Sequence, residues 1–337
     1  MIDGQSRGRL SSGKGGLYSA QLNTVEIPDG KHSTSVRVKS RKGFYVSDFA
    51  RVDIDNIDEP PALAPSFKDD DAVMDNALLI VTATDDRDQP NVTYSVDGAE
   101  PQPMGCLGDG VFQAIWDVSG LEDGSRHDII FKAADSADQP VEKKITVIID
   151  NKPGIYIELP YNHDWISWSK GYGDGTGWDF PAEELPLSGS SFIYNGDGRI
   201  KFKFGDKLDG ALNNLESGRQ KLDFAPGHYT KIHILATMHN GGGKASFILH
   251  YADGTDEKKK VSFSDWWGAN PVYGEKAVIA TTHHHEASGD REPGSGIYLQ
   301  TIEPDKDKIL SSITLPSERR LHIFAMTLEG EVLKGGE

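Results

Sequence analysis

The chain has 337 residues, too many for one ordinary hydrophobic core, and points to two or three domains. Lys and Arg number 35 against 52 Asp and Glu, a formal charge of −17, and a field of that sign repels phosphate backbones and anionic headgroups, which argues against nucleic acid and membrane surfaces as partners. The single cysteine, Cys106, excludes an internal disulfide and a Cys-based zinc site, and no apolar run approaches the ~20 residues that span a bilayer.

In chain order, the first organising feature is a repeat. "GVFQAIWDVSGLEDGSRHDIIFKAAD" lies over "GGLYSAQLNTVEIPDGKHSTSVRVKSR", with Gly110 on Gly16, Phe112 on Tyr18, Ala114 on Ala20, Leu121 on Ile27 and Asp123-Gly124 on Asp29-Gly30. Val96-Asp97-Gly98 falls on Ile2-Asp3-Gly4, and after one inserted residue Asp150-Asn151 falls on Asp55-Asn56. Repetition at a constant offset means duplicated modules. The second copy reads as strands near 77–84, 91–96, 111–117, 128–134 and 143–149 separated by turn clusters, the spacing of an antiparallel β-sandwich of immunoglobulin type. The first copy has no counterpart of residues 58–94, so the chain is expected to be the tail of a longer protein. A partner chain or an upstream segment is expected to complete residues 1–56.

The residues Trp116-Asp117, Leu121, Asp123-Gly124, His127, Ala133 and Asp150-Asn151 resemble Ig-like modules carried by secreted bacterial hydrolases beside their catalytic domains. His127 and its counterpart His32 stand without a second His or Cys nearby and read as hairpin residues, not as ligands.

After "IIDNKPGIYIELP" the texture changes, and five of the six tryptophans lie beyond residue 160. A Gly-, Asp- and Trp-rich stretch, "NHDWISWSKGYGDGTGWDFPAEELP", precedes about eight strand-like runs with almost no helical periodicity, which predicts a jelly-roll sandwich. This part resembles the galactose-binding-like domains of bacterial glycoside hydrolases. The resemblance runs through Asp174-Gly175 with Gly177, "AEELP" at 182–186, "FKFGDKLDGALNN" at 202–214, "YTKIHILAT" from Tyr229, "YADGT" from Tyr251, "SFSDWW" from Ser262 and "SITLPSERRLHIFAMTLE" from Ser312. The expected fold class is therefore all-β. Residues 1–56 are an incomplete Ig-like module, 57–152 an Ig-like module, 153–330 a galactose-binding-like jelly roll and 331–337 a tail.

Sugars bind flat aromatic faces flanked by groups that take hydroxyls. Trp165, Trp168, Tyr172, Trp178, Trp266 and Trp267, with His284 and Arg291, are the expected carbohydrate-binding residues as a cluster, although each tryptophan alone reads better as core. Adjacent residues of a strand face opposite ways, so one of Trp266 and Trp267 looks outward. Continuing the phase of Val261 and Phe263 buries Trp267, whereas the resemblance makes Trp266 the structural ring.

Asp164, Asp174 and Asp179, with carbonyls of "GYGDGTG", offer oxygen ligands for a structural Ca2+; the competing reading is a turn using Asp and Gly for their backbone freedom. His283 and His285 share one strand face ahead of Asp290, an arrangement suited to a divalent transition metal. Walker and dinucleotide motifs are absent from the sequence. The expected function is a non-catalytic glycan-binding and spacer region of a secreted or cell-surface bacterial protein, the C-terminal part of a polysaccharide-active enzyme. Two alternatives stand beside it: purely structural spacer modules, and a metal-dependent enzyme built on the His283 to Asp290 stretch.

Overall fold

The computed structural model describes residues 1–168, 177–196 and 198–333. Among them the chain is strand and loop, with two single-turn 3-10 pieces, Lys14–Gly16 and Ala182–Glu184. It divides into two compact units: Met1–Leu63, Ala83–Val92 and Lys132–Glu142 in one, and Ala64–Thr82, Thr93–Phe131 and Lys143–Glu337 in the other. Among the described residues no helix is long and apolar enough to cross a membrane.

In the first unit Gly30–Thr34 pairs antiparallel with Ala50–Ile54, Arg37–Ser40 with Gly43–Val46, and Ser11–Ser12 with Tyr18–Ser19. Ile2, Ile27 and Ile54 form an apolar cluster with Val52 against it, while Phe44 and Phe49 stay exposed. With so little apolar area removed from water, polar fasteners carry much of the local order.

Those fasteners repeat the sequence duplication bond for bond. Asp3-Gly4 and Asp97-Gly98 both turn at positive φ (47° and 79°; 49° and 76°), a conformation that Asp and Gly tolerate best. The Asp3 carboxylate holds His32 Nδ1 at 2.5 Å and accepts Ser33 N–H at 2.8 Å; the Asp97 carboxylate holds His127 Nδ1 at 2.6 Å and accepts Asp128 N–H at 2.9 Å. Asp29 accepts Asn56 N–H at 2.7 Å as Asp123 accepts Asn151 N–H at 3.0 Å. Both asparagine amides donate to carbonyls of the preceding turn, Thr24 and Ile27 in one copy, Val118 and Leu121 in the other.

Residues 62–149 carry a five-stranded and a four-stranded sheet. Asn76–Thr84 alternates strictly, with Ala77, Leu79, Val81 and Ala83 buried. It pairs antiparallel with Val111–Asp117, whose Phe112 is buried, and the other sheet turns Ile129, Phe131 and Val147 inward.

The C-terminal sandwich is organised by one 18-residue strand, Lys221–Met238, which pairs antiparallel with Leu310–Thr314, Gly296–Ile302 and Leu321–Val332. Its residues 232–238 are all buried because both faces are covered. Ile232, Ile234, Ala236 and Met238 enter one apolar cluster with Phe247, Ile313 and Ile323, while Leu235 enters a second with Trp165, Phe180, Trp266 and Phe324. That second cluster is capped by a small sheet ordered Ile166–Ser167, Trp178–Pro181, His284–Glu286, Gly289–Arg291. The Asn195 amide pairs with Ala72 N–H and C=O, satisfying the backbone of the short edge strand Ala72–Val73.

The Asp3–His32 pair yields a pH prediction. Hydrogen bonds from His32 and then from Ser33 N–H hold the Asp3 carboxyl down at about 2, and the Asp3 bond raises the His32 imidazole above its ordinary value. The depressed carboxylate supports the turn above the ordinary Asp value and loses that support as pH falls through about 2. The raised imidazole supports it below the ordinary His value and loses that support as pH rises through its own higher one. The pair is therefore fully effective from roughly pH 4 to 6.5. In an NMR titration His32 is expected to titrate above the free imidazole, and Asp3→Asn should bring it down; an unchanged midpoint in the variant refutes the pairing.

Candidate functional site

The small sheet of the C-terminal sandwich divides its side chains by parity. Trp178 stands opposite Glu286 and Asp179 opposite His285 across one antiparallel ladder; His284 stands opposite Arg291 and His285 opposite Asp290 across the next. Ser167 is aligned with Pro181 on the parallel side. Because alternate residues point to opposite faces, Trp178, Phe180, His284 and Glu286 belong to one face and Asp179, His285, Asp290 and Ser167 to the other. The base of the loop is cinched where Gly294 passes Thr281: a Cβ there would lie 1.7 Å from the Thr281 carbonyl oxygen, so no larger residue fits.

On the first face several expectations are corrected. Trp165, expected among the carbohydrate-binding residues, is 1% exposed. Its Nε1–H donates to Trp178 O at 2.9 Å, its ring lies 5.0 Å from Trp266 and 5.2 Å from Phe180, and Asn213 accepts its backbone N–H. Trp266 is 4% exposed and Trp267 40%, so the resemblance predicted the orientation and simple alternation did not. The strand ends at Phe263, and Ser264 is itself buried, its N–H donating to Glu275 and its hydroxyl accepting Val272 N–H; the strand phase is lost before the tryptophans. His284 is also buried, with Nδ1 2.7 Å from Pro293 O and Nε2 3.3 Å from Glu286, and has no nitrogen left for a ligand.

Three expected rings do reach solvent. Trp178 is 45% exposed and touches Trp267, ring centres 5.5 Å apart, and Trp267 in turn rests on the buried His284 ring at 4.6 Å. Trp168 is 50% exposed, with Lys207 Nζ 5.2 Å from its ring centre. That ammonium is buried and donates to Ala182 O and Leu185 O, and burial pushes its pKa down to about 8. Arg291 stays exposed beside Glu286. Tyr172 lies outside the described residues.

The expected calcium ligands do not converge among the described residues. Asp164 spends its carboxylate on the Asn213 side chain and Gly210 N–H, Asp179 is fully buried, and Asp174 lies outside the described residues.

The second face gathers His283, His285 and a residue that sequence reasoning missed as a site residue, Glu183. The turn Ala182–Glu184 directly follows strand Trp178–Pro181 and places two glutamates against residues 282–285. Glu183 Oε1 lies 3.0 Å from His285 Nε2 and 3.3 Å from His283 Nε2; its other oxygen is buried without a hydrogen-bond partner among the described residues. Behind them, Glu184 holds His283 Nδ1 at 2.8 Å and Ser167 Oγ lies 3.3 Å from His285 Nδ1. Asp290 approaches His285 Nε2 at 3.5 Å. Burial opposes the charge on both partners, but the Glu183–His285 hydrogen bond and mutual attraction outweigh it, holding the carboxyl low and the imidazole high. Glu183, Asp290 and Arg291 line a cleft of about 560 Å³ together with Thr82 and Asp109. Glu183 stands 100 residues before His283, and only its place in "AEELP" marked that segment in the sequence.

The two indoles differ in what they hold up. Trp266→Ala should cost roughly 3–5 kcal/mol of stability, because it removes the ring joining Trp165, Phe180 and His284, whereas Trp267→Ala should cost less than about 1 kcal/mol. Chemical denaturation of both variants measures this, and equal losses would show that the pair acts as one packing unit.

No curated protein matches the chain in sequence. Similar solved structures include Bacteroides ovatus mixed-linkage glucan utilization locus SGBP-B in complex with a mixed-linkage heptasaccharide, at 9% identity over 98% of this chain and a TM-score of 0.30; the match spans 66% of that protein, just under two thirds of its length. Carbohydrate-binding modules of the β-sandwich superfamily align at 7% identity over 80% of this chain and 98% of theirs, TM-score 0.22. A Ca2+-stabilised adhesin with which an Antarctic bacterium binds ice aligns at 11% over 86% and 81%, TM-score 0.22. At these scores the likeness is one of β-sandwich architecture and carries no argument about ligands. Residues 151–332, more than half of the chain, match the AziU2-like β-sandwich domain, and the chain belongs to that family.

Proposed function

We propose that the C-terminal sandwich is a carbohydrate-binding module whose platform is the exposed pair Trp178 and Trp267. The observation that carries this reading is the contact between two solvent-facing indoles anchored on a buried imidazole, since such a surface is apolar and held in place before any ligand arrives. Glu286 lies across the ladder from Trp178, with Arg291 3.4 Å from it, so a carboxylate and a guanidinium stand beside the rings to take sugar hydroxyls. The net charge of −17 favours a neutral glycan over a polyanionic one. On this reading residues 1–149 act as spacer modules of an extracellular or cell-surface protein that works on polysaccharides.

Two stacked rings and exposed hydrogen bonds are worth only a few kcal/mol together, so dissociation constants of roughly 0.1–1 mM are expected. Affinity electrophoresis and calorimetry against a panel of neutral polysaccharides test the proposal. Trp178→Ala and Trp267→Ala should each weaken binding at least about tenfold with the fold intact, a loss of about 1.4 kcal/mol. Full binding by both variants, or no binding by the wild type across the panel, leaves the spacer reading in place.

A further inference from the structure

The opposite face of the same small sheet carries a second chemistry that does not depend on the glycan reading. Glu183, His283 and His285 bring one carboxylate oxygen and two imidazole nitrogens within 4.8 Å of one another. Donors that share an ion at about 2.1 Å stand roughly 3.0–3.4 Å apart in octahedral or tetrahedral arrangements, and the distances from Glu183 Oε1 to the two Nε2 atoms are 3.0 and 3.3 Å.

The outer contacts point the same way. Metal-bound histidines characteristically use their second ring nitrogen to bond a carboxylate, carbonyl or hydroxyl, which fixes ring orientation and leaves the other lone pair free. Here His283 Nδ1 is held by Glu184 and His285 Nδ1 by Ser167, and in both rings Nε2 is the atom aimed at Glu183. With the proton of a neutral His283 on Nδ1, the atom 2.8 Å from the Glu184 carboxylate, the Nε2 lone pair faces the lone pairs of Glu183, an opposition that a proton or a cation must relieve. The second Glu183 oxygen, buried and without a partner among the described residues, is a further acceptor awaiting positive charge. Asp290, opposite His285 in the ladder and mostly exposed, is placed to supply a fourth donor, an oxygen, from the cleft side.

We propose that Glu183, His283 and His285 bind one divalent transition-metal ion, with Asp290 as an additional ligand and the remaining coordination positions open to the cleft. Two imidazoles and a carboxylate suit Zn2+, Fe2+ or Mn2+, whereas Ca2+ and Mg2+ take oxygen ligands and are poor occupants. The bland competitor is a metal-free network of protonated histidines and glutamates, which has the same contacts but no affinity for an ion.

The test uses the full chain without a histidine tag, dialysed against chelator. Calorimetry with Zn2+ should give one ion per chain with a dissociation constant below about 10 µM, and Co2+ should develop visible d–d bands that Zn2+ bleaches. Ca2+ should neither compete nor shift the melting temperature at this site. His283→Ala, at a partly exposed position, should weaken Zn2+ binding at least a hundredfold with an unchanged far-ultraviolet spectrum. Glu183→Gln, which keeps the side-chain shape, should weaken it at least tenfold, and Trp267→Ala should leave it unchanged. Absence of stoichiometric Zn2+ binding by the wild type, or wild-type affinity in folded His283→Ala and Glu183→Gln, overturns the proposal and leaves the metal-free network.

Discussion

The arrangement of the C-terminal sandwich's surface depends on one register: Trp178 against Glu286 and Asp179 against His285. Two strands of four and three residues carry it, too short to hold a register by their own ladder bonds. A slip of one residue would exchange the faces, burying the ionisable set against the aromatic core and turning Phe180 toward the polar side. The restraint against that slip lies outside the ladder. Trp165 donates its indole N–H to the carbonyl of Trp178, Phe180 is enclosed by Trp165, Trp266 and Phe324, and the Thr281–Ser295 bonds close the neck of the loop carrying the histidines.

Trp165 is in turn fixed by a buried polar network, which apolar packing alone would not orient. Asn213 accepts its backbone N–H and is itself held by Asp164; Asn214 accepts a hydrogen bond from His322, whose ring lies 4.6 Å from the indole. Burial, with His163 and His239 nearby, pushes His322 down to about 2, so this imidazole stays neutral and acts as a fixed dipole in the core. Buried polar groups that are fully bonded specify one geometry where hydrophobic side chains would tolerate several. The aspartate expected to hold an ion thus helps to position the tryptophan expected to hold a sugar, and both serve the interior.

Much of the architecture was legible because strands announce themselves by alternation, as Ala77, Leu79, Val81 and Ala83 do, and because a duplicated Asp-Gly turn with its histidine leaves the same letters at a constant spacing. Lys221–Met238 shows where alternation fails, since a strand covered on both faces loses its polar half and reads as a continuous apolar run. The tryptophan pair could not be oriented by phase for a different reason: the strand ends three residues before Trp266, and loop geometry directs both indoles. His283 and His285 were legible as a same-face pair because they lie two apart in the chain. Glu183 was not, because a ligand contributed from 100 residues away leaves no spacing to read.

The energetics of that last cluster separate structural from functional explanations. Removing two imidazoles and two carboxylates from water is costly, and the attraction they regain in a protein interior often does no better than hydrophobic residues of the same size. The aromatic face of the same sheet meets the packing requirement with Phe180 and Trp266, so a second face devoted only to stability would be better served by similar side chains. Glu183 keeps one buried oxygen without a bond among the described residues, an acceptor that a bound cation would satisfy. Backed by Ser167 and open to the cleft that Glu183, Glu184, His283 and Asp290 line, the cluster can complete itself with something from solvent.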